Sequence, residues 1–494
     1  MNTAKNVNRL LPALVALCVV APEASAALPP ENSCPTVSGR LGGSDKIDAS
    51  PTLIREGMIL GADDILALRE LLPPEVWSNR DQFFHEGMRM EIGPCHRRYP
   101  TVASYEAATA KFAGSARVDE DGNLHDYVSG LPFPQATIDP TSPDAAVRWA
   151  WNLQYRYRGA GPVGRFRIVD LPGPVGAAHI YRGWFYFIQI AHRADLPKTD
   201  YALTVAEKNL FAAGGRFDEP FSARHLAWTQ LRPREADVKF TTSDDTFVYV
   251  PTMRKIRRAA STHVDGMFTP RYRVGGDTGG GGIGGLQSAG VNYDALGGSS
   301  GVGALNPTSA ASAAQTEALY RGFTDLAIRP NAYRWRLRGE QEVLAPLNAS
   351  REGYPRVKER NYGPSGLSVG SDRWDVRYAV IIEGSARERG REFDRLLLYI
   401  DYQTLQPLYM VTRRRNGRIV EITVPVHRFS GDVFGYLKWP DGSAALVFDP
   451  VAVVAYTALD SSGWRREGYD ITSVPLSDAK VQRYISSAYL TRGK

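Results

Sequence analysis

Cysteine is nearly absent from this 494-residue chain: Cys18, Cys34 and Cys95 are the only three, and no two form a C-x-x-C pair. That excludes a zinc finger or ribbon site and a thioredoxin-like dithiol. Histidine is sparse as well. The eight histidines, at 85, 96, 125, 179, 192, 225, 263 and 427, include no pair at i, i+2 or i, i+4, so no short segment presents two imidazoles to one metal. The chain also lacks a strong excess of charge, with 59 Lys and Arg against 53 Asp and Glu for a formal net charge of +6. The basic residues are dispersed and no recognised motif accompanies them, which argues against a nucleic-acid partner. The short clusters Arg254-Lys255-Ile256-Arg257-Arg258 and Arg413-Arg414-Arg415 read as solvated strand ends. Arg254, Arg257 and Arg258 are the candidates to meet lipid headgroups or an envelope partner.

What the chain does have begins at its first residue. Lys5 and Arg9 form a positive n-region, Leu10 to Ala21 an apolar run, and Ala24-Ser25-Ala26 a small-residue processing site. The apolar run falls short of the roughly 20 residues that span a bilayer. Residues 1–26 are therefore expected to be a signal peptide cleaved after Ala26, placing the chain in the periplasm. Leu17 before Cys18 argues against lipoprotein processing, which wants a small residue there. Removal of Cys18 leaves Cys34 and Cys95, and in an oxidising compartment two lone cysteines are expected to pair.

Residues 27–60 are rich in Pro, Ser and Gly and read as an irregular arm. Asp63–Leu72 reads as a short helix stopped by Pro73-Pro74, and Tyr99–Phe112 holds a second that begins just after Pro100. A third follows the start signal Ser142-Pro143-Asp144, with Val147, Trp151 and Tyr155 at four-residue spacing, and ends at Arg158-Gly159. Beyond Val163 the pattern is one of strands: Arg165–Val169, Trp184–Ala191, Ala236–Phe240, Thr246–Val250, Tyr333–Leu337, Trp374–Glu383, Arg395–Asp401, Leu408–Arg413 and Ile419–Val426. Asn416-Gly417 between two apolar runs is the strongest hairpin signal. Short turns between neighbouring strands imply a large antiparallel sheet. The Gly/Ser-rich stretch 275–312 reads as a flexible insertion within one β domain spanning 61–494.

Catalytic motifs fail on context. Gly297 to Gly301 and Gly366-Leu367-Ser368-Val369-Gly370 both match G-x-S-x-G, but neither sits between a strand and a helix as a nucleophile elbow requires. The G-x-G-x-x-G of Gly279 to Gly284 is a by-product of a glycine run. Asp244-Asp245 and Asp119-Glu120-Asp121 read as solvated turns. No catalytic residue, metal or cofactor is expected.

Several blocks together resemble one family: His96-Arg97-Arg98-Tyr99-Pro100, Gly130-Leu131-Pro132-Phe133-Pro134, Trp151-Asn152, Arg156-Tyr157-Arg158-Gly159, Ala227-Trp228, Phe247-Val248-Tyr249-Val250-Pro251 and Arg254 to Ala259. Tyr333, Trp335, Gly339, Pro346 and Asn348 extend the likeness, as does Arg395 to Asp401. These resemble the domain of unknown function 1329 family, which is similar to the outer-membrane lipoprotein-sorting carriers. The likeness departs at Met58 to Ala62, a remnant of the segment with which the family's mature chains often begin, and at the Gly-rich stretch. It implies a mainly β (α+β) fold, a large curved antiparallel sheet or incomplete β-barrel covered by helices, with an apolar cavity and the helices before Gly159 as lid. It also implies a carrier or chaperone of a lipid, lipoprotein or other apolar molecule, without covalent chemistry. Trp149, Trp151, Tyr155, Trp184, Phe185 and Phe187 are the expected ligand-binding residues. Two rival expectations stand beside it: an accessory module of an RND-type exporter or outer-membrane protein, and a periplasmic hydrolase whose site assembles from distant residues.

Overall fold

A computed structural model of the chain describes residues 28–39, 41, 51–171, 178–251, 254–258, 327–349, 362–363, 373–388, 393–458, 463–473 and 476–492. The expected signal peptide, the Gly/Ser-rich stretch and both G-x-S-x-G matches lie outside them.

Among the described residues fifteen strands form one open sheet, so the mainly β reading holds. They are β1 (Ile59–Leu60), β2 (Met90–Cys95), β3 (Val163–Leu171), β4 (His179–Gln189), β5 (Asn209–Glu219), β6 (Ala227–Pro233), β7 (Asp245–Val250) and β8 (Lys255–Arg258). The rest are β9 (Tyr333–Ala345), β10 (Arg373–Ala386), β11 (Arg395–Asp401), β12 (Pro407–Arg413), β13 (Ile419–Phe429), β14 (Phe448–Thr457) and β15 (Gly463–Thr472). Strands β3 to β8 run as one antiparallel meander and β9 to β15 as another. The two join where β3 pairs with β15, from Val163 opposite Thr472 to Leu171 opposite Trp464. The antiparallel expectation has one exception: β2 pairs with β10 in parallel. The Asn416-Gly417 hairpin forms between β12 and β13, with Gly417 at φ 84°.

Four sequence expectations are corrected. Ala236–Phe240 is not a strand: Pro233 ends β6, and Glu235–Val238 is a single helical turn. Asp63–Leu72 is a 3₁₀ helix over Asp63–Leu71, and Pro74 of the supposed stop instead opens a helix at Pro74–Ser78. The second helix, α1 (Ala103–Lys111), begins two residues later than just after Pro100, because Val102 is still extended. The arm is not wholly irregular, since Thr36–Val37 pairs with Thr52–Leu53. The third helix, α2 (Ala145–Gln154), follows its start signal as expected. Strand β5 lacks a sequence signal for a physical reason. Its Gly214 and Gly215 carry no β signal, yet a Cβ would stand 2.6 Å from Tyr186 Oη at one and 2.6 Å from the Trp228 ring at the other.

Both faces of the second meander are covered. On one, Val376, Tyr399, Val411, Ile422 and Val454 meet the segment from Ile54 to Tyr99. On the other, Val380, Ile382, Leu398, Ile400 and Met410 meet α2 and residues 124–138. The first meander buries Phe166, Phe185, Phe187, Phe217 and Trp228 on its inner face. Its outer face carries Trp184, Tyr186 and Ile188, which meet two C-terminal helices, α3 (Asp478–Ile485) and α4 (Ser487–Arg492). Cys34 and Cys95 are disulfide-bonded, which ties the arm to the end of β2 and bears out the expected pairing.

Candidate functional site

A groove of about 440 Å³ opens between α1 and the turn that joins β11 to β12. Tyr99, Tyr105, Leu131, Tyr157, Leu405 and Phe448 give it a largely apolar lining. Its roof is α1, where only Ala108 is buried. Hydrogen bonds hold that roof at both ends: Tyr105 Oη donates to the Tyr155 carbonyl at 2.9 Å, Thr109 Oγ1 accepts from Leu131 N at 2.8 Å, and Lys111 Nζ donates to Tyr201 Oη at 3.0 Å, while the Tyr105 ring lies 5.4 Å from that of Tyr157. Gly130, at φ 84°, lets the chain pass against the helix, because a Cβ there would lie 2.4 Å from Thr109 N.

The floor is rigid and charged beneath its aromatic surface. Tyr99 sits edge-on to Phe429 and Phe448, with ring centroids 5.1 and 5.0 Å away. Its hydroxyl donates to Asp375 Oδ2 at 2.7 Å, and the Arg97 and Arg377 guanidinium groups lie 4.7 and 5.3 Å from its ring. Burial pushes the Asp375 carboxyl up to about 6, against the opposing pull of Arg373, Tyr99 and Arg377. Arg377 in turn grips Asp401 at 2.7 Å and the Arg97 carbonyl at 2.7 Å, while Arg97 binds Asp432 through both terminal nitrogens at 2.6 and 2.9 Å. The His96 to Pro100 block is thus a clasp between β2 and the second meander.

The other sequence blocks have comparable roles. Asn152 clamps Phe133, accepting from its N–H at 3.0 Å and donating to its carbonyl at 2.6 Å, which fixes the Gly130 to Pro134 segment beside the groove. Arg156 reaches Gln406 Oε1 at 2.9 Å, tying the end of α2 to the turn below. Trp151 donates from its indole to the Gly122 carbonyl at 3.0 Å.

None of the groove's lining residues was singled out as a ligand contact from sequence. Trp149, Trp151 and Tyr155 are buried in the cluster around α2, and Phe185 and Phe187 in the inner face of the first meander. Trp184 alone of the six stands in a second groove, with Tyr484 and Tyr489. Arg257 and Arg258 lie on the edge strand β8, Arg254 just before it, and Arg258 is paired with Asp245. Of the lining residues, Tyr99 and Leu131 belong to the family blocks His96 to Pro100 and Gly130 to Pro134, and Tyr105 carries no such signal.

The reading of Asp244 as solvated is overturned. Its carboxylate is fully buried, accepting from Arg232, Arg329 and Gln230 at 2.7 to 3.1 Å. Nearby, burial raises Asp237 to about 7, and Tyr155 donates its hydroxyl to it. Burial likewise lowers His192 to about 4; its Nδ1–H donates to the Val128 carbonyl at 2.7 Å. Among the described residues no three His, Cys, Asp or Glu side chains are placed to hold a metal ion, and no helix is long and apolar enough to cross a membrane.

Residues 69–274 match the model of the protein family of unknown function DUF1329, so the resemblance holds over that stretch; the likenesses from Tyr333 onward lie beyond it. No curated protein matches the chain. Among solved structures, a DUF1329 family protein from Desulfovibrio piger is 13% identical, with 71% of this chain and 99% of that one covered at a TM-score of 0.37. A domain from Vibrio parahaemolyticus, provisionally named an outer membrane lipoprotein-sorting protein, is 9% identical over 71% and 98% of the two chains at 0.36. A LolA superfamily protein from Nitrosomonas europaea is 12% identical over 71% and 99% at 0.30.

Proposed function

We propose, on the premise that residues 69–274 carry the DUF1329 pattern, that this chain is a periplasmic carrier which holds an apolar molecule in the groove beneath α1. One observation carries the reading: a groove of about 440 Å³ with a mostly apolar lining, roofed by a helix that buries a single residue. Such a volume falls within the range of small-molecule sites, roughly 300–1,000 Å³. Each methylene transferred from water into it contributes about 0.8 kcal/mol, so a lipid acyl chain is a suitable cargo. A roof with few apolar anchors opens at low cost, which lets the ligand enter and leave. Export by residues 1–26 and hand-over to an RND-type exporter or outer-membrane protein complete the proposal, and no covalent step is involved.

The test is native mass spectrometry of protein purified from the periplasm, with binding of an apolar dye after delipidation. Copurifying lipid, and dye binding lost on Leu405→Asp, support the carrier. Delipidated protein that binds neither lipid nor dye, yet copurifies with a membrane complex, would favour the accessory-module reading instead.

A further inference from the structure

The outer face of the first meander carries a second feature, independent of the groove beneath α1. Strand register sets Arg165 opposite Trp184 and Trp184 opposite Arg216, so two guanidinium groups flank one indole across three strands. The C-terminal helices dock beside this row: Tyr484 stacks on Tyr186 at 5.3 Å and 17°, and Trp184 lies 5.0 Å from Tyr484 and 5.8 Å from Tyr489. Between them runs a groove of about 450 Å³ that adds Lys480, Arg483 and His225 to its lining.

Its charges are not neutralised from within. Among the described residues Arg165, Lys480 and Arg483 make no ion pair, and Arg216 uses Nη2 only on the Tyr489 and Leu490 carbonyls, at 3.0 and 3.2 Å. Among the described residues Asp218 is the one carboxylate in the lining, and Asp470, opposite Arg165 in register, forms no ion pair with it. Beside the groove the β5–β6 hairpin projects Phe221, 87% exposed, from a tip whose two sides supply Asp218 and His225. Trp and Tyr with an apolar body and a polar edge, unpaired cations and a projecting Phe are the residue types that settle at a lipid–water interface.

We infer that this face, formed by β3 to β5, the β5–β6 tip and helices α3 and α4, docks on an anionic lipid bilayer. The cations meet headgroup phosphates, and Phe221 enters the acyl boundary.

Cosedimentation of the full chain with vesicles tests this. The protein sediments with phosphatidylcholine vesicles containing phosphatidylglycerol, is released as salt rises, and stays in solution with phosphatidylcholine alone. Lys480→Glu with Arg483→Glu weakens binding about twentyfold or more, and Phe221→Ser does so a few-fold. Arg254→Glu, on the β8 side, leaves binding unchanged. Arg165→Ala, a single exposed change, serves as a second variant should the double one misfold, and each variant is checked for an unchanged Tm. Equal binding to both vesicle types, no binding to either, or loss on Arg254→Glu with retention in the Lys480 and Arg483 pair overturns the inference. Dye binding beneath α1 stays intact in all these variants, so this test and that of the carrier reading fail separately.

Discussion

Helices α1 and α2 are almost equal in length and both pack against the same core cluster on the second meander, but they are buried to opposite extents. In α2 every residue except Arg148 is buried, including the polar Asn152 and Gln154. In α1 the buried set is Ala108 alone. Aromatic residues at four-residue spacing therefore mark the helix that is packed into the core, and the small, polar helix without that spacing is the one that stays largely exposed. Aromatic patterning reports burial; it does not identify a lid.

The contrast can be broken most directly from the α2 side. Trp151→Ala removes a fully buried ring and is expected to cost roughly 3–5 kcal/mol in urea unfolding; a loss below about 1 kcal/mol would show that α2 is not core. Asn152→Ala strands both the N–H and the carbonyl of Phe133 and is expected to cost roughly 2–4 kcal/mol, with looser packing of residues 130–134 visible by hydrogen exchange. The groove floor is fixed in a different way, through Asp375. Its folded carboxyl is raised to about 6, above its unfolded value, so the folded state binds the extra proton. Stability contributed by that proton is present at pH 4 and lost as pH rises to about 6, on the order of 2 kcal/mol in all. Asp375→Asn flattens this slope in denaturation measured across that range, and an unchanged slope counts against the assignment. The smallest global effect belongs to α1. Ala107→Gly lowers helix propensity by about 1 kcal/mol, which speeds exchange of the amides at 103–111 about fivefold while the midpoint of global unfolding hardly moves. If the whole chain is destabilised instead, α1 is part of the core and not a roof.

The legible parts of the fold were those with a local signal. The start of α2, the Asn416-Gly417 hairpin and strand β11 (Arg395–Asp401) each follow from turn chemistry or a short apolar run. Strand β5 was hidden because Ala212, Ala213, Gly214 and Gly215 yield space to rings on neighbouring strands, a property of the partners and not of the segment. The disulfide needed only a cysteine count. The groove could not be read, since Tyr99, Leu131 and Leu405 lie far apart in sequence and converge through hydrogen bonds such as those between Gln403 and Tyr99, at 2.7 and 3.1 Å. Asp244 was misread for a similar reason. A turn-like Asp-Asp pair gives no hint that Arg232 and Arg329 close over its first member, and losing one partner of such a buried set typically costs 3–5 kcal/mol.

The seam between β3 and β15 has a consequence for how the chain comes together. Each meander closes by contacts between neighbours in sequence, whereas the nine residue pairs of the seam link positions roughly 300 residues apart. Loop closure over that distance delays such pairings, so the two meanders are expected to form first and zip together last. A chain emerging from its N-terminal end completes the first meander while β15 is still missing, and the edge of β3 stays open until that last strand of the sheet arrives. During that interval the open edge is a template for intermolecular pairing, which makes the waiting time at the seam the step at which aggregation competes with assembly.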